Sequence, residues 1–588
     1  MRLGRPRAIS ATLLFAAIIV IITDHVVSAA PALELLKLAE GEFSNLTPAE
    51  TALLKFAGSL RSEPGGFAAA GPSGKPDDPS NDPAHADNWG KEREVRAELI
   101  EWLCVDESAK KLVPRGIRLL GARITGKLDL AHVTIPFALT LRNCSIGERM
   151  TFENMALPQL DLSGCYTGEI DAENIVIHGN LLMNDLHASG GASFPNSTIG
   201  GNLLARGSHF THSKVEAEGL GLGNMALDAG GAQIRGVVEF CCGFEADGAV
   251  NLANAAIGSD MIFTGGTFNG ANDVAIDANA ANFSSAAFLG THPLITGYRG
   301  VHVNGLVQMR VMRANALVVQ DATFSGAPNE QHGFDLRSSS VRIFVWLNVT
   351  LNRGAIVDLS GASLGSLIDE PRRWPAPGKL ELDGLTYDQL GGPAIDARSR
   401  LQWLALQPEF HLQPYRQLAK LLRNNGDDSG AAEVLIAAED RRYASHGRAS
   451  ALGGGFLNAT IGYGHKPLRT IGWSVLVILL GWPIVWAAKR AGVMRPTFPE
   501  NIPHSSEPGY EELHPLLYSL DAFLPFVNLH QEHYWWPNSK AAGDCVVLGH
   551  KFRLRGSLVR HYLWLQIFSG WLLSAILIAG VTGLMRSD

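Results

Sequence analysis

Carboxylates at regular intervals are the first residues to weigh for chemistry in this 588-residue chain. Asp129 and Asp171 flank Thr151 at intervals of 22 and 20 residues. If those positions stack in layers, the two carboxyl groups lie two layers apart, about 10 Å at ~4.8 Å per layer. One calcium ion, whose oxygen ligands sit at about 2.3–2.6 Å, cannot hold both directly. A general acid and base must also converge on one substrate. The expectation is therefore solvated surface residues, and Asp335 and Asp358 offer no tighter group.

Four further patterns bear on chemistry. Cys144 and Cys165, 21 apart, could stack on neighbouring layers, either bridged or as an inward pair of small apolar thiols. Cys241 and Cys242 are adjacent, so in a strand they would face opposite ways and form no metal pair. Thr460-Ile461-Gly462-Tyr463-Gly464 matches a potassium-filter pentad, but a filter sits between two membrane helices; this one precedes both apolar spans and reads as a juxtamembrane turn. Gly219-Leu220-Gly221-Leu222-Gly223-Asn224 has Asn where a dinucleotide loop has its third glycine, and no strand–turn–helix follows, so it reads as a corner. The 19 histidines are scattered, with no HExxH and no CxxC. No catalytic, cofactor-binding or metal-binding residue is assigned, no cofactor is expected, and the reading leans against an enzyme.

A repeat would position these residues. The pattern apolar-x-small-x-apolar occurs as Ile124-Thr125-Gly126-Lys127-Leu128, Ile177-His178-Gly179-Asn180-Leu181 and Ile199-Gly200-Gly201-Asn202-Leu203. It returns at Ile234–Val238 and Val303–Val307, and with Ser replacing Gly at Ile257–Met261 and Leu364–Ile368. Gaps of 22, 23 and 46 residues fit one repeat of 22–23. In–out pairs such as Leu139-Thr140-Leu141 and Leu160-Asp161-Leu162 fill the intervals, as strands do. Several short strands per repeat with glycine corners predict a right-handed parallel β-helix over 114–398, of roughly a dozen turns and about 60 Å. A β-sandwich explains short strands but not the fixed glycine offset.

The flanks divide by composition. Residues 31–60 carry a short helical segment opened by the capping box Thr47-Pro48-Ala49-Glu50. A Gly/Pro/Asp-rich linker occupies 61–91, and a helix within 92–113 is placed to cap the first turn. A helical hairpin over 399–448 turns at Gly426-Asp427-Asp428 and is expected to cap the other end.

Composition points to a membrane and an exported domain. Charged residues are 18% and the net charge is −8, which argues against a nucleic-acid partner. Arg2, Arg5 and Arg7 precede an apolar run and small residues near Ser28–Ala32, the layout of a signal peptide or N-terminal anchor over 1–30. After a juxtamembrane piece (449–469), residues 470–488 and 562–585 are long uncharged stretches, each able to span. The loop between them, 489–561, holds most of the nearby Lys and Arg, which predicts that it is cytoplasmic and the β-helix extracytoplasmic. Within it, 513–537 is apolar but broken by prolines, as an interfacial or re-entrant segment would be.

Four stretches, WGKEREVRAELIEWLC (89–104), GIRLLGARITGKLDL (116–130), PYRQLAKLLRNNGD (414–427) and LYSLDAFLPFVNLHQEHYW (517–535), resemble a group of bacterial membrane proteins with pentapeptide-like repeats. Some members are labelled membrane-associated oxidoreductases. No flavin, nicotinamide, haem or iron–sulfur motif accompanies the resemblance here, and it carries no catalytic residue over. The expected role is a structural or interaction scaffold in the bacterial inner membrane, whose partners are the bilayer and either a second copy or another envelope protein. An enzyme on the β-helix, glycan-active or oxidoreductase, and a two-span transducer or channel-like protein are the alternatives.

Overall fold

Corners explain the repeat. Asn154, Asn174, Asn196, Gly231 and Asn254 all adopt positive φ, and each lies three residues after an outward strand position: Thr151, Asp171, Ser193, Asp228 and Asn251. Asn and Gly enter the left-handed region at least cost, so one such residue per layer turns the chain. Three of the motif glycines serve a different end. Gly179, Gly201 and Gly236 stack on successive layers, where a Cβ on Gly201 or Gly236 would strike the backbone of the glycine before it. Close approach, not conformation, requires them.

The layers join in parallel. Leu139, Leu160, Leu181, Leu203, Val238 and Met261 form one in-register column, and Ile177, Ile199, Ile234 and Ile257 form another. The computed structural model is a parallel β-solenoid of about eleven turns, built from an 18-stranded and a 20-stranded sheet. It describes residues 31–59, 66–212, 224–298, 300–325, 332–352, 354–466, 468–497, 512–547 and 550–582. The expected signal segment and Gly219–Gly223 lie outside these residues. The interior is mainly apolar, with Ser197, Ser208, Thr264 and Ser339 also buried, and Phe240, Phe244 and Phe268 lie at centroid spacings of 5.1–5.3 Å.

Each end of the stack is closed by a buried carboxylate paired with an arginine. At the first turns the Thr47–Glu50 capping box forms as expected. Glu50, fully buried, also accepts from Arg96 Nε at 2.7 Å and Nη2 at 2.8 Å. Burial alone would raise the Glu50 carboxyl, but the Arg96 guanidinium and the amides of Thr47 and Arg96 outweigh it and hold the group below its ordinary range. Two elements here differ from the sequence reading. The helix expected from Glu92 begins at Ala97, because Glu94–Arg96 is drawn into the sheet beside Arg123–Thr125. Part of the Gly/Pro-rich stretch is tied down rather than free: Ala68 and Ala69 pair with Leu119 and Leu120, and buried Asn81 donates to the Ser73 and Lys75 carbonyls. Side-chain-to-backbone bonds supply the order that periodicity cannot reveal.

At the last turns Arg400 Nη1 and Nη2 donate to Asp369 at 2.9 and 2.6 Å, and Trp374 Nε1 donates to the same carboxylate at 2.6 Å. Both members of the ion pair are fully buried. Trp346 stacks on Trp374 with centroids 5.0 Å apart, and Trp403 meets Trp374 at a 50° tilt, 5.9 Å away.

The chain divides after Gln417 into a second unit. Gly426 is left-handed and Asp427 accepts the Gly430 N–H, as the hairpin turn required. Gly462 ends the Arg448–Ile461 helix in the left-handed conformation, and Tyr463 donates its hydroxyl to Asp440 at 2.7 Å; the filter-like pentad is a helix terminus. Leu468–Arg490 and Gly556–Val581 are the two helices long and apolar enough to cross a membrane among the described residues, by length and composition. Only 17% and 28% of their apolar windows are buried, so most of that surface faces outward, unlike a core helix. The short Pro515–Phe523 helix packs against both.

Breaking a buried ion pair by removing one partner costs about 3–5 kcal/mol. Arg400→Ala should therefore lower the midpoint of urea unfolding of the solenoid, read by tryptophan fluorescence, far more than Arg373→Ala at the neighbouring half-exposed pair with Glu370.

Candidate binding cleft on the outer face

The sequence candidates resolve into structural duties. Asp129, Thr151 and Asp171 do stack in register, two layers separating the carboxylates. The same row continues through Ser193, Asp228, Asn251 and Asp277. Most of its carboxylates and amides accept an N–H two residues on, as Asp129 does from Ala131, Asp228 from Gly230 and Asp358 from Ser360. Those bonds build the corner and occupy one oxygen of each carboxylate. Asp335 is buried between Arg310 Nε and Arg337 Nη2, both at 2.6 Å, and Arg337 Nε also lies 3.3 Å from Asp358. Burial raises the Asp335 carboxyl, but the two guanidiniums more than offset it and leave it below the usual range.

Cys144 and Cys165 are unbridged, buried thiols; Cys165 Sγ donates to the Leu141 carbonyl at 3.0 Å. The expectation that Cys241 and Cys242 face apart is wrong. Their sulfurs lie 2.7 Å from each other, because Cys242 has φ of 64° and occupies a corner, not a strand. Among the described residues, no group of three His, Cys, Asp or Glu side chains is placed to hold a metal ion.

The surface that gathers chemistry is the neighbouring row of the 20-stranded sheet. Ser145, Tyr166, His187, His209 and Glu245 occupy one column on five successive layers. Strand alternation turns their side chains outward while Ile146, Ala188 and Phe210 point in. Tyr166 and His187 stack with centroids 4.4 Å apart and planes 15° from parallel, and His209 meets His187 edge-on at 6.0 Å. These rings line a cleft of about 400 Å³ whose other walls include Gly147, Gly168, Ser189 and Thr211. The two glycines make room on the layers above the histidines.

Polar groups at one end are held in place. His209 Nε2 lies 3.1 Å from Asp247 Oδ2, and Asn269 Nδ2 donates to Asp247 Oδ1 at 2.8 Å. The Asn269 amide chiefly, with the His209 ring, holds the Asp247 carboxyl below its ordinary range against the effect of burial. At the other end, burial and the Asp82 carboxylate push the Tyr166 phenol up, so it stays a neutral donor. The cleft can thus offer ring faces and edges, hydroxyls and one oriented imidazole–carboxylate pair. The sequence did contain its signal: Tyr166, His187 and His209 are spaced 21 and 22 apart, the repeat itself, although the histidines read as scattered.

A second cavity, of about 490 Å³, lies in the C-terminal unit among Asp521, Asn528, Glu532, His533, Trp536 and Trp571. Asp521 accepts the Leu529 and Glu532 N–H groups at 2.6 and 2.8 Å, joining the two arms of the segment that follows the short helix.

Compared with protein-family models, curated proteins and solved structures, the chain matches none. Asn269→Ala removes the largest influence lowering the Asp247 carboxyl, so its pKa should rise toward the ordinary aspartate value in a ¹³C-detected titration; an unchanged or lower value would contradict this account.

Proposed function

We propose that this chain is a membrane-anchored scaffold whose β-solenoid recognises an extended saccharide along the Tyr166–His187–His209 column. The single observation behind this reading is that stacked rings and hydroxyls share one outer cleft across consecutive layers, with the His209 ring held by Asp247. Flat aromatic surface beside a few fixed polar groups is the usual make-up of a small-ligand site. Repetition at about 4.8 Å per layer suits a long ligand with recurring units. Two apolar helices support anchorage, and the basic loop between them supports an extracytoplasmic solenoid at a bacterial inner membrane.

Calorimetry on the full chain in nanodiscs, with uronate oligomers and N-acetylhexosamine oligomers as probes, tests it. One series should bind, and Tyr166→Ala should weaken that binding by roughly tenfold, the equivalent of about 1.4 kcal/mol. Heat from neither series, or equal affinity in the variant, removes the saccharide reading.

The C-terminal unit favours a second reading, as a transducer of protons. Ser519 Oγ donates to the Ile478 carbonyl, and Gln566 Nε2 donates to Ser519, so polar groups link the short Pro515–Phe523 helix to both apolar helices. Gly570 packs against the Phe523 carbonyl, ten residues beyond Arg560, or ~15 Å of helix rise. That is about half of a ~30 Å hydrocarbon core. If these helices span, the Pro515–Phe523 helix is re-entrant and the Asp521–Glu532 cavity sits at membrane depth, where irregular backbone lines a water-filled space. Proteoliposomes with an entrapped pH dye should show proton flux that Glu532→Gln reduces at least severalfold; tight vesicles with the unaltered chain would eliminate this reading.

A further inference from the structure

Adjacent side chains in an extended strand point to opposite faces, and a disulfide between them would normally be impossible. At Cys241–Cys242 the chain turns. Cys241 is fully buried, Cys242 is half-exposed, and the left-handed φ of Cys242 swings both sulfurs to one side. Their 2.7 Å separation is well inside the ~3.5–4.0 Å at which non-bonded heavy atoms usually rest.

The stack holds this geometry. Gly207 N donates to the Cys241 carbonyl at 3.0 Å, Cys242 N donates to Thr264 at 2.8 Å, and Gly243 N donates to Gly265 at 3.1 Å. The neighbouring layers place glycines, Gly207 and Gly265, at the equivalent corner, both with positive φ. Neither glycine puts a side chain of its own over the sulfurs, and the Tyr298 side chain packs against Gly265. The nearest charged pair is Arg206 with Glu239, joined through Nη2 and Oε1 at 2.8 Å.

We propose that Cys241 and Cys242 form a redox-active vicinal pair that closes to a disulfide by exchange with a small-molecule disulfide. Cys242, the less buried of the two, attacks as thiolate; one S–S bond of the oxidant breaks, a mixed disulfide forms at Cys242, and the first small thiol leaves. Cys241 then attacks Cys242 Sγ and expels the second. Two cysteine thiols become one disulfide, the oxidant takes two electrons, and the two cysteine protons end on its two thiols. Burial pushes the Cys241 thiol up, which makes it the resolving partner and not the first nucleophile. Neighbouring Cα atoms are about 3.8 Å apart, below the ~4.4–6.8 Å usual for disulfides. The bridge is therefore strained and readily reduced, as labile redox pairs are.

The test uses the full chain in detergent, treated with excess oxidised glutathione, denatured, alkylated without reduction, digested and read by mass spectrometry. The expected result is a peptide containing Cys241 and Cys242 that is unalkylated and lighter than the dithiol by two hydrogens. Cys241→Ser should instead accumulate a glutathione adduct on Cys242, because the resolving thiol is gone. Complete alkylation of both cysteines after oxidation, a stable glutathione adduct in the unaltered chain, or a Cys242 bridge between two chains would each overturn the proposal.

Discussion

In-register parallel stacking governs the solenoid unit. Each layer lends its backbone N–H and C=O groups to the next, so a residue type that recurs once per circuit becomes a continuous column about 4.8 Å per step. Inside, that rule favours aliphatic and aromatic side chains, and the columns of Leu, Ile and Phe follow. Outside, the same rule makes like charges near neighbours, and the chain manages the repulsion. Thr151 separates Asp129 from Asp171, and Arg310 and Arg337 neutralise Asp335 and Asp358 where acids fall on consecutive layers.

Open ends are the weak points of such a stack. Both are closed here by a carboxylate–guanidinium contact: Glu50 with the partly exposed Arg96 at one end, and the fully buried Asp369 with Arg400 at the other. Desolvated pairs of this kind contribute little net stability, yet they tolerate no loss of a partner. Their worth lies in geometry: each ties a flanking segment to a specific layer, and the indoles near Asp369 shield that pair from water.

The C-terminal unit faces the opposite constraint, polar groups among helices whose surfaces are apolar. Ser519 donates to the Ile478 carbonyl and accepts from Gln566 Nε2, while Gln566 Oε1 is buried without a hydrogen bond, and glycine at 481 and 570 lets the short helix come close. Asp521 stitches the returning arm through two backbone amides. Small residues and reciprocal hydrogen bonds therefore replace the aliphatic columns as the means of fixing position.

Much of this was legible in the residues alone. The glycine-punctuated period, the capping box at Thr47, the turn at Gly426 and the two uncharged stretches all report on local chemistry, since steric freedom, end-capping and hydropathy act within a few residues. The layer on which a side chain lands was not legible wherever the period varies. The insertion before Asn224 stretches one circuit from Ile199 to Ile234, and short strands carry little signal of their own. Local sequence thus determined that the chain would wind in small parallel circuits and include apolar helices. Only tertiary stacking decided that Tyr166, His187 and His209 share a cleft, that Asp335 and Asp358 are spent on arginines, and that Cys241 meets Cys242. Those relations depend on contacts between residues some 20 to 40 positions apart or on a corner's sign of φ, and neither is set by the identity of the residues involved.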